Sequence, residues 1–235
     1  MKKTFLISIF TIQSLILHGN AIHNYPDHLV PVTSFLDRIV FHDLDILKVQ
    51  KEKLLKDFPY WSPAKFYCLP SFDGAYAFAI EEREDLTLNL NLDENFKRQE
   101  TEYYLITNQL DRSFTEFRQT GFIEGKNRRR KISKQLAEII GDIWAETLNE
   151  TCFPDNSEYV SDADDGSTYY FSANARWGLM SGVARSPIPE VQPNLSGLVK
   201  KADIIFRFAQ DEKKTEQDLI NELELVSNKT TGDNS

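Results

Sequence analysis

Apolar and polar residues alternate through the middle of the chain, which is the pattern of β-strands that bury one face and expose the other. In residues 86–92 a leucine occupies every second position, and threonine or asparagine fills the positions between. Residues 64–69, 75–82 and 102–108 are also typical of strands, and Asp73-Gly74 supplies a turn. The alternation therefore predicts an antiparallel meander.

Apolar residues recur at helical spacing in other segments. The clearest helix is predicted over about residues 132–149, where isoleucine, leucine and tryptophan form one amphipathic face. An earlier helix is expected over about residues 34–57. A third helix is expected to begin at a cap formed by Asn194 or Ser196, and a last short helix is predicted at about residues 215–226.

A hairpin is predicted between residues 157–161 and 168–173, joined across residues 162–166, with a further strand near residues 176–184. Together these patterns predict an α+β fold. Its antiparallel sheet consists of a meander plus a C-terminal hairpin, and two or three amphipathic helices pack on it.

The N-terminus has the organisation of a cleavable export signal. Lys2 and Lys3 precede an apolar run over residues 5–17, and the small residues Gly19 and Ala21 fit the shallow pockets of a signal peptidase. Because the run is shorter than the roughly 20 residues that a membrane-spanning helix needs, cleavage after Ala21 is expected. The mature protein is then expected to be periplasmic or secreted, and not integral to a membrane.

This cleavage defines the expected domain organisation. Residues 1–21 form the signal peptide, residues 22–210 a single α+β domain, and residues 211–235 a C-terminal helix with a polar tail. Because the signal contains two lysines and no acids, the mature chain keeps 25 basic against 36 acidic residues, a net charge of −11. Such acidity favours a basic protein partner and disfavours nucleic acid.

Cys68 and Cys152 are the only two cysteines in the chain. In an oxidising compartment they are expected to form one disulfide, which would stabilise the fold mainly by restricting the unfolded chain. The alternative is two separate buried thiols that act as small apolar groups.

A basic run stands out against this acidic composition, and it consists of Lys126, Arg128, Arg129, Arg130 and Lys131. One interpretation is a solvated loop that leads into the helix at residues 132–149. The other is a docking patch for an acidic partner or for anionic lipid headgroups.

An acidic cluster at Asp162, Asp164 and Asp165 precedes Gly166 and resembles a calcium loop. The spacing of an EF-hand fails, however, because placing Gly166 sixth puts Ala163 on a ligand position. The cluster is therefore predicted to be a hairpin turn with solvated acids, and we assign no metal and no cofactor to the chain.

Histidine, the commonest general base and zinc ligand, is missing from the whole chain after His42. This absence favours a non-catalytic role. We expect an exported protein-binding domain, such as an inhibitor or immunity-type protein with a basic partner. The alternative is a carboxylate-dependent hydrolase of the cell envelope, because paired carboxylates perform acid–base chemistry without histidine. Its dense acids would be those of the acidic cluster together with Glu81, Glu82 and Glu84.

Overall fold

The computed structural model of the protein describes residues 26–32, 50–70, 74–84, 101–113, 125–153, 166–175 and 178–232. The strands within these ranges are β1 (Val30–Pro31), β2 (Lys65–Pro70), β3 (Gly74–Glu84), β4 (Thr101–Ser113), β5 (Gly125–Ile132), β6 (Ser167–Ala175) and β7 (Gly178–Arg185). The helices with both ends described are α1 (Lys134–Asn149), α2 (Pro193–Gln210) and α3 (Glu216–Gly232). A further helical segment ends at residue 54.

All seven strands belong to one open antiparallel sheet, in the order β1-β7-β6-β2-β3-β4-β5. Strands β2 to β5 follow one another as a meander, and the β6–β7 hairpin returns to pair with β2. The predicted α+β fold, with its meander and C-terminal hairpin, is confirmed.

Large apolar residues cover the face of the sheet that carries α1 and α2. Phe66 lies between Phe78 and Phe171 of the neighbouring strands, with ring centroids 5.5 and 5.1 Å away. Trp144 of α1 packs edge-on against Phe78 at 5.3 Å, and its indole N–H donates to the carbonyl of Lys65 at 2.9 Å. This aromatic layer fixes the position of α1 on the sheet, because the buried indole also has a hydrogen-bond partner.

The opposite face of the sheet has a smaller apolar cluster. Tyr67 and Tyr170 stack there with ring centroids 4.4 Å apart. Leu54, from the end of the N-terminal helical segment, is fully buried against this cluster. The sheet is therefore covered on both faces, by two helices on one side and by N-terminal residues on the other.

Side-chain caps define where α1 and α3 begin. The Ser133 hydroxyl accepts a hydrogen bond from the N–H of Leu136 at 3.1 Å, and the N–H of Ser133 donates to Glu216 at 2.7 Å. Thr215 and Asp218 form a reciprocal capping box, in which each backbone N–H donates to the other side chain. Because Glu216 belongs to α3, the same contacts tie the start of α1 to the start of α3.

The start of α2 differs from the sequence prediction. Neither Asn194 nor Ser196 caps this helix. Instead, the carboxylate of Asp27 accepts hydrogen bonds from the N–H groups of Asn194 and Leu195, at 3.1 and 3.0 Å. The N-cap residue itself, Gln192, makes no side-chain capping bond. A local sequence pattern misses such a cap because the capping residue is remote in the chain.

The expected disulfide between Cys68 and Cys152 is not formed, so that prediction was wrong. Cys68 is buried in β2, opposite Tyr76 of β3 and Tyr169 of β6. Cys152 is exposed beyond the end of α1, where its N–H donates to the carbonyl of Leu29 at 3.2 Å. A bridge requires two adjacent side chains that point towards each other, whereas one of these thiols faces the core and the other faces solvent.

Several predictions lie outside the described residues. They are the export signal at residues 1–21, the helical residues 34–49, the strands at 86–92 and 157–161, and the acidic cluster of Asp162, Asp164 and Asp165. Within the described ranges, no helix has the combination of length and apolar composition that would let it cross a membrane.

Candidate functional site

The structure places the basic run in a strand. All five of its residues lie in β5, which pairs with β4 so that Arg130 is opposite Leu105. Since successive side chains of a strand point to opposite faces, Arg128 and Arg130 lie on the face covered by helices, and Arg129 and Lys131 lie on the other.

The two arginines on the helical face cap the C-terminal end of α2. Arg128 donates to the carbonyl of Gln210 at 2.7 Å. Arg130 donates to three carbonyl groups around the same end, those of Phe208, Asp211 and Lys214. Its guanidinium also lies over the Phe208 ring, 3.7 Å from the centroid. The last carbonyls of a helix have no partner within the helix and carry partial negative charge, so these cations stabilise α2.

The cations on the other face of β5 pair with acidic residues. Arg129 forms an ion pair with Glu81 and lies over the ring of Tyr104, 4.0 Å from its centroid. Lys131 donates to Glu102 at 2.6 Å. The hydrogen bonds from Lys131 and from Tyr104 lower the pKa of Glu102.

The three glutamates named for the hydrolase alternative lie at the end of β3. Glu81 pairs with Arg129, and Glu82 is on the opposite face of the sheet because it is the next residue along the strand. Glu82 and Glu84 are exposed. These three side chains therefore do not converge on one point.

A second candidate surface, which the sequence pattern did not reveal, is the loop of residues 59–64 before β2. We call it the aromatic loop. Tyr60 and Trp61 are 84% and 65% exposed, and their rings meet edge to face with centroids 5.7 Å apart. The sequence indicates only a Trp-Ser-Pro break in the helical pattern, because exposure depends on how the loop packs.

The aromatic loop is held in place by buried contacts directly after its exposed rings. Ser62 is buried, and its hydroxyl donates to the carbonyl of Ala64 at 2.7 Å. The carbonyl of Ser62 accepts from the N–H of Asn174 in β6 at 2.9 Å. Pro63 packs so closely on α1 that a Cβ added at Gly141 would lie 3.3 Å from its Cβ. The loop is therefore fixed to both the sheet and α1.

Two further residues belong to the surroundings of the aromatic loop. The ammonium group of Lys65 donates to the carbonyl of Tyr60 at 2.6 Å, and desolvation by burial lowers the pKa of this lysine. Leu179, which is 67% exposed, lies opposite Asn174 across the β6–β7 pair. The strand that binds the loop thus adjoins a strand with another exposed apolar side chain.

A partly buried polar cluster lies between the sheet and α2. The phenol of Tyr76 donates a hydrogen bond to the carboxylate of Asp203, and Cys68 is opposite both Tyr76 and Tyr169 in the sheet. Burial raises the pKa of Tyr76, of Tyr169 and of Asp203. Within the described ranges, no group of histidine, cysteine, aspartate or glutamate side chains has the arrangement of a metal site.

Comparison of the chain with protein-family models, with curated proteins and with solved structures found no match. The surfaces described above are therefore the features of the molecule that bear on its function.

Proposed function

We propose that the protein is an exported, non-catalytic domain that binds another protein through the aromatic loop. The observation that carries this proposal is the pair of exposed rings, Tyr60 and Trp61, on a loop whose next residues are buried and hydrogen-bonded. Tyrosine and tryptophan are the residues that most often dominate the energetics of protein interfaces.

The rigidity of the aromatic loop supports the same proposal. Binding is weakened when flexible side chains and loops must become ordered in the complex. Here the contacts of Ser62 and Pro63 hold the backbone beside the rings before any partner arrives. The loop therefore resembles the preorganised part of an interface.

The charge of the mature chain indicates the chemistry of the partner. With the export signal removed, the chain contains 25 basic and 36 acidic residues. A basic protein would be attracted at long range by this charge, and its lysines or arginines would contact the faces of Trp61 and Tyr60 favourably. An inhibitor or immunity-type role, in which the domain neutralises a basic toxin or hydrolase, fits this combination.

The test is a pull-down from periplasmic extract with the mature chain and with a Tyr60→Ser/Trp61→Ser variant. The chain recovered from the periplasm should have the intact mass of a protein that begins at Ile22. This mature chain should retain a basic protein. The variant should bind that protein about 30-fold more weakly, because truncating an interface hot spot costs about 2 kcal/mol or more.

The matched control is Phe153→Ser, which removes a 70% exposed aromatic residue outside the aromatic loop. This variant should retain the partner as well as the unaltered chain does. The proposal fails if both variants retain it equally, or if no basic protein is recovered specifically.

A further inference from the structure

Strand β5 ends the sheet on the side away from β1. In the described part of the chain it pairs with β4 alone. None of the described strands adjoins its other edge, whose backbone N–H and C=O groups have the geometry that another strand would pair with. Three strands, β2, β3 and β4, separate it from β6, to which the aromatic loop is bonded.

The cations of β5 are spaced as a neighbouring strand would require. Lys126, Arg128 and Arg130 share one face, and same-face residues of a strand recur about every 6.8 Å. Acidic residues at every second position of an added strand would have the same spacing. Opposite charges directly across two strands stabilise the pairing.

The C-terminal end of α2 holds the guanidinium groups of Arg128 and Arg130 in position, because both side chains donate hydrogen bonds to it. Arginine has five N–H donors, and the bond from Arg128 to Gln210 uses one of them. Arg128 is an exposed residue, so its guanidinium group is accessible to a ligand from solvent. An anion bound there would not have to order this side chain, which removes part of the entropic cost of binding.

A concave space of about 370 Å³ adjoins these side chains, lined by Arg128, Arg129, Arg130, Ala209 and Glu212. Of these residues, Arg128 and Arg130 have their side chains on the helical face, and with Glu212 as the one acid they leave the lining an excess of positive charge. It is therefore suited to a carboxylate, whose two oxygens match the donors of a guanidinium.

We propose that β5 takes up an extended acidic segment of another protein as an additional strand. Its backbone pairs with the outer edge of β5, and its alternate carboxylates contact Lys126 and Arg128. A lipid surface lacks a backbone to pair with that edge. A second copy of this chain would oppose one β5 to another, and like charges across a strand pair are destabilising.

The probe is a nine-residue peptide in which glutamate alternates with threonine and valine, compared with the same peptide carrying glutamine. The acidic peptide should bind at least tenfold more tightly than the glutamine peptide, and less tightly as salt increases. Binding should slow hydrogen exchange at alternate amides of β5, because an added strand pairs with every second residue of the edge.

Lys126→Glu should weaken binding of the acidic peptide at least tenfold, and Arg128→Gln should do the same. Lys126→Glu is the decisive variant if Arg128→Gln perturbs α2. Lys134→Gln, which removes an exposed cation from α1, should change the affinity less than twofold. Circular dichroism of each variant confirms that the fold is retained.

Three outcomes overturn the proposal. Equal affinity for the two peptides would show that the cations of β5 do not recognise the carboxylates. Unchanged hydrogen exchange in β5 would show that the peptide does not pair with it as a strand. Binding to vesicles of phosphatidylglycerol and phosphatidylcholine without binding to the acidic peptide assigns the surface to a membrane. Because the aromatic loop is separate from β5, the Tyr60→Ser/Trp61→Ser variant should bind the acidic peptide as well as the unaltered chain does. Failure of this proposal is therefore distinguishable from failure of the proposed function.

Discussion

The hydrogen bond between Tyr76 and Asp203 is the clearest example of a polar contact inside the apolar layer between the sheet and α2. Tyr76 packs on Phe206 of α2 with ring centroids 4.8 Å apart, so its phenol is directed towards the helix. Asp203 accepts the phenol hydrogen bond there. A partly buried carboxylate without such a donor would destabilise the fold, because partial burial removes some of its hydration.

Substitutions of these two residues should therefore have different effects. Tyr76→Phe should lower the free energy of unfolding by about 1–2 kcal/mol, because it leaves the carboxylate without its donor. Asp203→Asn keeps an acceptor oxygen and removes the buried charge, so it should leave stability at pH 7 unchanged or higher. Urea unfolding at pH 7 measures both, with Tyr103→Phe on β4 as the control for loss of a phenol.

The difference in stability between the unaltered protein and Asp203→Asn should depend on pH in one direction. Burial raises the pKa of Asp203 above its ordinary value of 3.8, so the folded state binds the proton more tightly than the unfolded state. The stability associated with Asp203 is fully present below pH 3.8 and is lost as the pH rises through the folded-state pKa. The unaltered protein should thus gain stability relative to Asp203→Asn on acidification, and a constant difference between pH 3 and pH 7 would contradict this account.

Among the elements, β5 and α2 depend on each other. Strand β5 consists largely of cations, and Arg128 and Arg130 are directed to the carbonyls at the end of α2. The helix in turn requires donors at that end, because its last carbonyls lack intrahelical partners. The two elements are remote in sequence, and each satisfies polar groups of the other.

This dependence predicts unequal effects of two neighbouring substitutions. Arg130→Met should lower the free energy of unfolding by about 2 kcal/mol, because it removes the bonds to the carbonyls that follow α2. Arg129→Met removes a partly exposed ion pair with Glu81 and should cost less than about 1 kcal/mol. Urea unfolding compares the two, and faster hydrogen exchange in the last turn of α2 should appear only in the Arg130 variant.

The same elements mark the limit of prediction from sequence. Strands β2, β3 and β4 and helix α1 were predicted because alternation or helical spacing of their apolar residues is visible locally. The sequence of β5 indicates a loop or docking patch, because residues 126–131 include no apolar residue. Their stabilising contacts come from the end of α2 and from acidic residues of β3 and β4, which a local pattern does not show. The aromatic loop was missed for a related reason: the exposure of Trp61 depends on contacts with Asn174 and α1.

At the scale of the whole molecule, the apolar core does not depend on a covalent link. Helices α1, α2 and α3 all contribute to one cluster with the sheet, including Leu219, Leu223 and Val226 of α3. Cys68 is part of that cluster and packs as a small apolar group. The alternative interpretation, two separate buried thiols, is thus correct for Cys68. It is not correct for Cys152, which is exposed.

The arrangement predicts the thiol chemistry of the purified protein. A chromogenic thiol reagent should modify one cysteine, Cys152, in the native protein and two after unfolding, because Cys68 becomes accessible only then. Electrophoretic mobility should be identical with and without reductant. Faster migration without reductant would reveal an intramolecular bridge and would contradict the separation of the two side chains.

The bond between Asp27 and the start of α2 joins residues that are 167 and 168 positions apart in the chain. During synthesis, the segment around Asp27 is complete long before the helix that it caps has been made. The contact can form only after α2 has been made, and its formation carries the entropic cost of closing a long chain loop. A proteolytic cut that removed Asp27 would leave every strand from β2 to β7 present and the first turn of α2 without its cap, so a helix in the C-terminal quarter of the chain depends on some of the first residues that the structure describes.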